Sequence, residues 1–210
     1  MSDNIFRHAD ASLMVILNEM SREFQALGTS LGFDELNVLG TRQTVNAMYK
    51  RMDAVIQREY MKIARRVYAD AAISVGGNTD DFDTHNYVTS MLRAYDPLSD
   101  FIYTREYIRK RDRLFESIIA TQRGNQEMRK NLKRGLDVLA NQVRQYADNI
   151  TVGARLKAFK DAGVKYVRWV AEKDDRTCKE CLDRDGRVYA IDEVPPLPAH
   201  WHCRCIIVPA

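Results

Sequence analysis

Residues 178–189 read C-K-E-C-L-D-R-D-G-R-V-Y and residues 198–205 read P-A-H-W-H-C-R-C, and the two stretches hold every cysteine of the 210-residue chain. A cysteine pair three residues apart, followed about twenty residues later by histidine and more cysteine, is the donor pattern of a tetrahedral zinc site. The C-x-x-C turn of Cys178 and Cys181 sets two sulfurs at the separation the ion requires. His200, Cys203 and Cys205 offer more than the two donors still needed, with His202 as a spare. In an extended segment Cys203 and Cys205 point to one side and His202 to the other. The expected ligands are therefore Cys178, Cys181 and His200 with either Cys203 or Cys205. Four protein donors leave no position for water, so such an ion is structural and not catalytic. Free thiols and one or two disulfides are the competing readings. Clustering speaks against the first, and a small knot with few core residues needs a staple of some kind.

The flanks of the cluster read as strands. Val164, Tyr166, Val167, Trp169 and Val170 are β-branched or aromatic, which predicts a strand. Asp185-Gly186 is a turn signal that leads into a second strand over Arg187–Ala190, and Cys205–Val208 predicts a third. Asp174, Asp175 and Asp185 lie nearby as candidate carboxylates, and turn formation is their commoner use.

Upstream the period changes to that of helices. Leu13, Ile16, Leu17, Met20, Phe24 and Leu27 predict a helix over 5–27 that stops at Gly28, with a loop over 28–40. A stripe from Val45 to Ile73 predicts a second helix from Thr41 to about Val75, closed by Gly76 and Gly77. Asp80 to Asp83 form an acidic turn before a short helix through Tyr95. His85 beside these acids invites a metal reading, but acids at a helix start serve its dipole. A long helical stretch follows from Phe101 to about Asn149, interrupted weakly at Gly124 and Gly135, with Leu132, Leu136, Leu139, Val143 and Tyr146 as a heptad-like seam. A separate short helix is expected over Thr151–Ala162, stopped by Gly163. The expected fold is mostly α, with long helices in a hairpin or small bundle over residues 1–150 and a small β-rich, zinc-stapled module over 151–210.

A formal net charge of +3 with 29% charged residues is too balanced to mark a nucleic-acid binder in bulk. Locally, 104–134 carries ten Lys or Arg against four acids, a face that suits phosphate backbones or an acidic protein surface. No apolar run reaches membrane-spanning length, and the N-terminus does not read as a secretory signal. The chain is thus expected to be made in a reducing cytoplasm, where clustered cysteines favour metal over disulfides.

The compound motif of Trp169, Asp175, Cys178, Cys181, Asp185, Gly186, Pro198, His200, Cys203, Arg204 and Cys205 resembles the C-terminal signature of the phage Mu F-like head morphogenesis (minor capsid) proteins. The resemblance covers about residues 164–208, and departs from the family where A-H-W-H stands in place of proline around the histidine. It implies a structural minor head protein of a tailed phage. Such a protein is non-enzymatic, acts in procapsid assembly or at the portal, and resides in the virion. The portal or capsid protein would be its partner, with packaged DNA contacted through 104–134, and neither a membrane nor a small-molecule substrate would be involved. The alternatives are a zinc-ribbon adaptor that binds nucleic acid, or a His-Cys metal-finger nuclease. The nuclease needs a base beside an open cation site, and His200-Trp201-His202 is followed by no Asn or second His at helical spacing.

Overall fold

A computed structural model of the chain describes residues 6–31, 38–93, 105–121, 125–200 and 203–210. Along them run helices α1 (Arg7–Ser30), α2 (Val38–Ser74), α3 (Thr84–Arg93), α4 (Arg105–Ala120) and α5 (Asn125–Asp161). Then come β1 (Tyr166–Val170), α6 (Lys179–Arg184), β2 (Val188–Ala190) and β3 (Ile206–Pro209). The chain is mostly helical with a small C-terminal sheet, as the sequence predicts.

Helix ends follow local backbone chemistry. Gly76 takes φ 70° and Gly163 φ 75°, a left-handed conformation that favours glycine at a helix C-terminus. Past the end of α2, the Gly77 N–H returns to Ala72 O at 2.8 Å. Asp83 Oδ1 accepts from the Asn86 N–H at 3.0 Å, so the acidic stretch caps α3. Asn78 holds the turn before it, accepting from the Asp80 N–H and donating to Asp81 Oδ2, both at 3.0 Å.

Three expectations are corrected. Gly28 does not end α1, which runs to Ser30; an ideal Cβ at Gly28 would lie 3.2 Å from Leu132 Cδ1, so this glycine serves close helix packing. Of the two interruptions expected in the stretch after 101, Gly124 falls between α4 and α5, whereas Gly135 lies inside α5 and does not break it. Thr151–Ala162 is not a separate helix but the end of α5. Thr151, Val152 and Ala154 are all buried, and packing on every side outweighs the weak helix propensity of two β-branched residues and Gly153. The end of the helix expected through Tyr95 and part of the loop expected over 28–40 lie outside the described residues.

The chain divides into two compact units. One comprises Ala11–Glu59 and Val88–Arg144. Its core is built from the apolar stripes Ile16, Met20 and Phe24 of α1, Met48, Met52 and Ile56 of α2, Leu114 and Ile118 of α4, and Leu132, Leu139 and Val143 of α5. Each such buried side chain contributes roughly 1.5–3 kcal/mol. Polar ties fix the helix pairs: Arg51 forks onto Glu23 at 2.7 and 2.6 Å, and Ser12 Oγ donates to buried Glu59 at 3.0 Å. The Arg42 guanidinium lies 4.1 Å from the Phe115 ring centroid.

The other unit comprises Met1–Asp10, Tyr60–Tyr87 and Gln145–Ala210. Tyr60, Ile63 and Val67 of α2 and Ile150, Ala158 and Phe159 of α5 form its helical core. Phe82 stacks on Tyr68 at 3.9 Å, and the Tyr68 hydroxyl donates to Asp161 Oδ2 at 2.8 Å. The sheet order is β2-β1-β3 with both pairings antiparallel. Alternation along β1 buries Val167 and Trp169. Arg155 of α5 donates from Nε to Ile207 O at 2.8 Å, which ties β3 to the helix and satisfies a backbone carbonyl of the edge strand.

Candidate metal centre

The cluster is assembled from three segments around β1. After β1, Asp185 Oδ1 accepts the Ala171 N–H at 3.0 Å, and Gly186, at φ 75°, donates from its N–H to Trp169 O at 2.9 Å. The expected Asp-Gly turn thus pins the chain that returns as β2. Between them lies α6, a short helix the sequence reading missed; the capping Cys178 before K-E-C-L-D-R was its available signal. The Cys178 sulfur accepts from the Cys181 N–H at 3.4 Å, so the C-x-x-C turn is the first turn of this helix. Cys203 and Cys205 arrive on the segment before β3.

These segments bring the five expected residues together. Cys178 Sγ and Cys181 Sγ each lie 3.2 Å from His200 Nε2, and Cys181 Sγ lies 3.7 Å from Cys203 Sγ. Donors on one tetrahedral zinc ion, at the usual bond lengths, stand about 3.8 Å apart for two sulfurs and about 3.5 Å for sulfur and nitrogen. A disulfide would need sulfurs at about 2.05 Å, and all four cysteines are free thiols. The donor atoms form two sets, Cys178 with Cys181 and His200, and Cys181 with Cys203 and Cys205, each within 4.8 Å. Cys181 is the member common to both. A hollow of about 10 Å³ is lined by Cys178, Cys181, His200 and Cys205 together with Glu172, Arg176, Thr177 and Arg204, and not by Cys203. That is room for about one water-sized sphere. The donors of each set are therefore of a type and spacing that could hold a metal ion.

Cys181, Cys203 and Cys205 are buried against Trp169 and Ala171 in one small cluster, within the compact unit that also contains Tyr60–Tyr87. Electrostatics sort the thiols. The Cys181 N–H and the neighbouring His200 lower Cys178, and hydrogen bonding to Cys205 brings Cys203 down to about 5. Burial pushes Cys181 up to about 12, and Cys205 is raised by its bond to Cys203 and by burial. A cation among them would draw all its ligands to the thiolate.

Two charged residues of the motif frame the cluster. Arg204, between Cys203 and Cys205, forks onto Asp174 with two bonds of 2.6 Å. Asp174 also accepts from the Arg176 N–H and the Thr177 hydroxyl, both at 3.0 Å. The Arg204 guanidinium holds the Asp174 carboxyl well below the usual range. Asp185 pairs with Lys173 at 2.8 Å. These carboxylates shape turns, in keeping with the sequence reading. The Arg204–Asp174 pairing had no sequence signal, since the residues are thirty positions apart.

His202 lies outside the described residues. His85 is exposed, and among the described residues the potential metal-holding groups are those of the tail. Of the basic residues in 104–134, Lys110, Arg111, Lys130 and Lys133 bond to Gln142, Asp112, Glu127 and Asp137. Arg113, Arg129 and Arg134 are exposed. Among the described residues no helix is long and apolar enough to cross a membrane.

Residues 111–208 match the family model of Phage Mu protein F like protein. The match bears out the resemblance and extends it upstream from the tail into α4 and α5. No curated protein and no solved structure matches the chain.

Proposed function

We propose, with the phage Mu F-like assignment as the premise, that this chain is a structural minor head protein of a tailed phage. It acts in procapsid assembly or at the portal and is carried in the virion. The single observation that supports this reading is that the matched region ends in a cluster of sulfur and imidazole donors close enough to hold a metal ion. Cys178, Cys181, His200 and Cys205, which line one hollow, would hold a zinc ion as a staple, with Cys203 buried beside Cys181. Zinc would supply there a cross-link between the segments that carry the donors. With four protein donors the ion has no position for an activated water, so the protein is read as non-enzymatic. The exposed arginines of 104–134 are available for the phosphates of packaged DNA.

Fractionating particles of the encoding phage tests the assignment. The protein should co-sediment with procapsids and virions, and should stay bound in high salt, where phosphate contacts alone would be lost. Elemental analysis tests the staple. About one zinc per chain is expected; less than about half an equivalent, with two thiols lost, replaces zinc by disulfides.

A further inference from the structure

The four cysteines of the tail differ in their access to solvent. Cys178 is half-buried, whereas Cys181, Cys203 and Cys205 are each only 2% exposed. Cys178 also has the surroundings of a nucleophile. Its Sγ accepts from the Cys181 N–H at 3.4 Å and lies 3.2 Å from His200 Nε2. An imidazole beside a sulfur, with a backbone N–H aimed at it, favours the thiolate, the reactive form. Cys181 Sγ stands as near the same imidazole nitrogen, at 3.2 Å, but it is shut from solvent, and a buried thiol is inert toward reagents in water. Access and geometry together single out Cys178.

The same geometry names the thiol that answers it. Among the described residues, Cys181 is the cysteine that shares a donor set with Cys178, their ligand atoms lying within 4.8 Å of one another, whereas Cys203 and Cys205 group with Cys181. The C-x-x-C turn is the first turn of α6, so both sulfurs are held on one short piece of chain.

We infer that Cys178 is a peroxide-reactive thiol that Cys181 resolves as a disulfide. His200 Nε2, in the Nδ1–H tautomer, takes the Cys178 proton. The Cys178 sulfur attacks one oxygen of hydrogen peroxide and the O–O bond breaks. The departing hydroxide takes the proton back from the imidazolium as water, and Cys178 is left as the sulfenic acid. The Cys181 sulfur then attacks the Cys178 sulfur, the S–O bond breaks, and hydroxide leaves as water with the Cys181 proton. Both thiols are oxidised to a disulfide and the peroxide is reduced to water.

The disulfide takes Cys178 and Cys181 out of the donors, and because Cys181 belongs to both sets, neither set stays complete. This consequence rests on the reading of the cluster as a metal staple carried in a virion. On that reading the staple holds in the reducing cytoplasm and opens when the particle meets an oxidant.

The test takes the full chain purified in reductant, loads it with zinc and adds hydrogen peroxide. Peptide mapping without reduction should find the Cys178–Cys181 bond, with Cys203 and Cys205 recovered as thiols. A short pulse of peroxide with dimedone should tag Cys178 at least about tenfold more than any other cysteine. A chelating dye should register zinc release in step with the disulfide, and dithiothreitol should restore binding. C178S should slow thiol loss at least about tenfold, and the wild-type mapping does not depend on how that variant folds. Inertness to peroxide, a disulfide that includes Cys203 or Cys205, or dimedone first on a buried cysteine overturns the inference. A reduced chain that takes up no zinc overturns the staple reading alone. The Cys178–Cys181 bond is then mapped in the metal-free chain, where its absence overturns the inference.

Discussion

Arg204 and Asp174 meet in a two-bond fork with both distances at 2.6 Å, and the pair joins the segment entering Cys178 to the segment carrying Cys203 and Cys205. Asp174 also holds the turn at Arg176 and Thr177, so one guanidinium fixes the approach of both halves of the cluster.

Arg204→Lys keeps the charge but loses the fork. The fork is solvent-exposed and links the two donor-bearing segments, so R204K and D174N should each weaken metal binding by only a few-fold in chelator competition. Helical circular dichroism should be unchanged. Because the Asp174 carboxyl is held below its ordinary value, the pair's contribution is full above the unfolded value of about 3.9 and is lost only as pH falls through the lower folded one.

Cys181 belongs to both donor sets, so Cys181→Ser should abolish metal binding and unfold the tail while the helices persist. Cys203 and Cys205 both stand with Cys181 in the second donor set, so thiolate-to-cobalt absorption should fall in at least one of C203S and C205S, and the variant with the larger loss of affinity assigns the fourth ligand. Wild-type absorption in both variants would refute a site completed by either cysteine.

Asp53 has one oxygen shut from solvent without a partner, and the other accepts from Gln57 Nε2 at 3.0 Å. Burial pushes its carboxyl up to about 6. A raised acid favours the folded state when protonated, so stability is fullest below the unfolded value of about 3.9 and falls until pH passes the folded value. After allowance for solvent screening, the difference in unfolding free energy between Asp53→Asn and wild type should move in the variant's favour by about 1 kcal/mol from about pH 4 to about pH 6.5. Urea unfolding across that range would detect it, and a flat difference would refute it.

Gly135 lies within α5, and an ideal Cβ there would stand 3.0 Å from Leu114 Cδ1 and 3.3 Å from Phe24 Cε1. Both neighbours are buried. Gly135→Ala gains up to about 1 kcal/mol of helix propensity against overpacking of about 1–3 kcal/mol. A net loss of about 1 kcal/mol is expected in thermal or urea unfolding. A gain would show that Leu114 can give way.

The residues themselves determined the features whose causes are local. Gly76 and Gly163 end helices because left-handed backbone favours glycine there, and Asp83 caps α3 through its own side chain. Val167 and Trp169 mark a half-buried strand by alternation. The C-x-x-C turn, the Asp-Gly turn and the short spacing of His200, Cys203 and Cys205 made the cluster legible together with its family. Only the tertiary structure decided what depends on distant neighbours. Gly28 and Gly135 look like breaks in the sequence, yet each sits inside a helix where another helix's side chain comes too close for a Cβ. α5 runs unbroken through Thr151 and Val152 because burial outweighs propensity. Arg204 finds Asp174 and Cys205 joins the hollow because β1 pairs with β3, a contact between positions about forty residues apart. Backbone preference and ligand spacing are written in neighbouring residues, whereas close packing and the meeting of donors from distant segments exist only once the chain has folded.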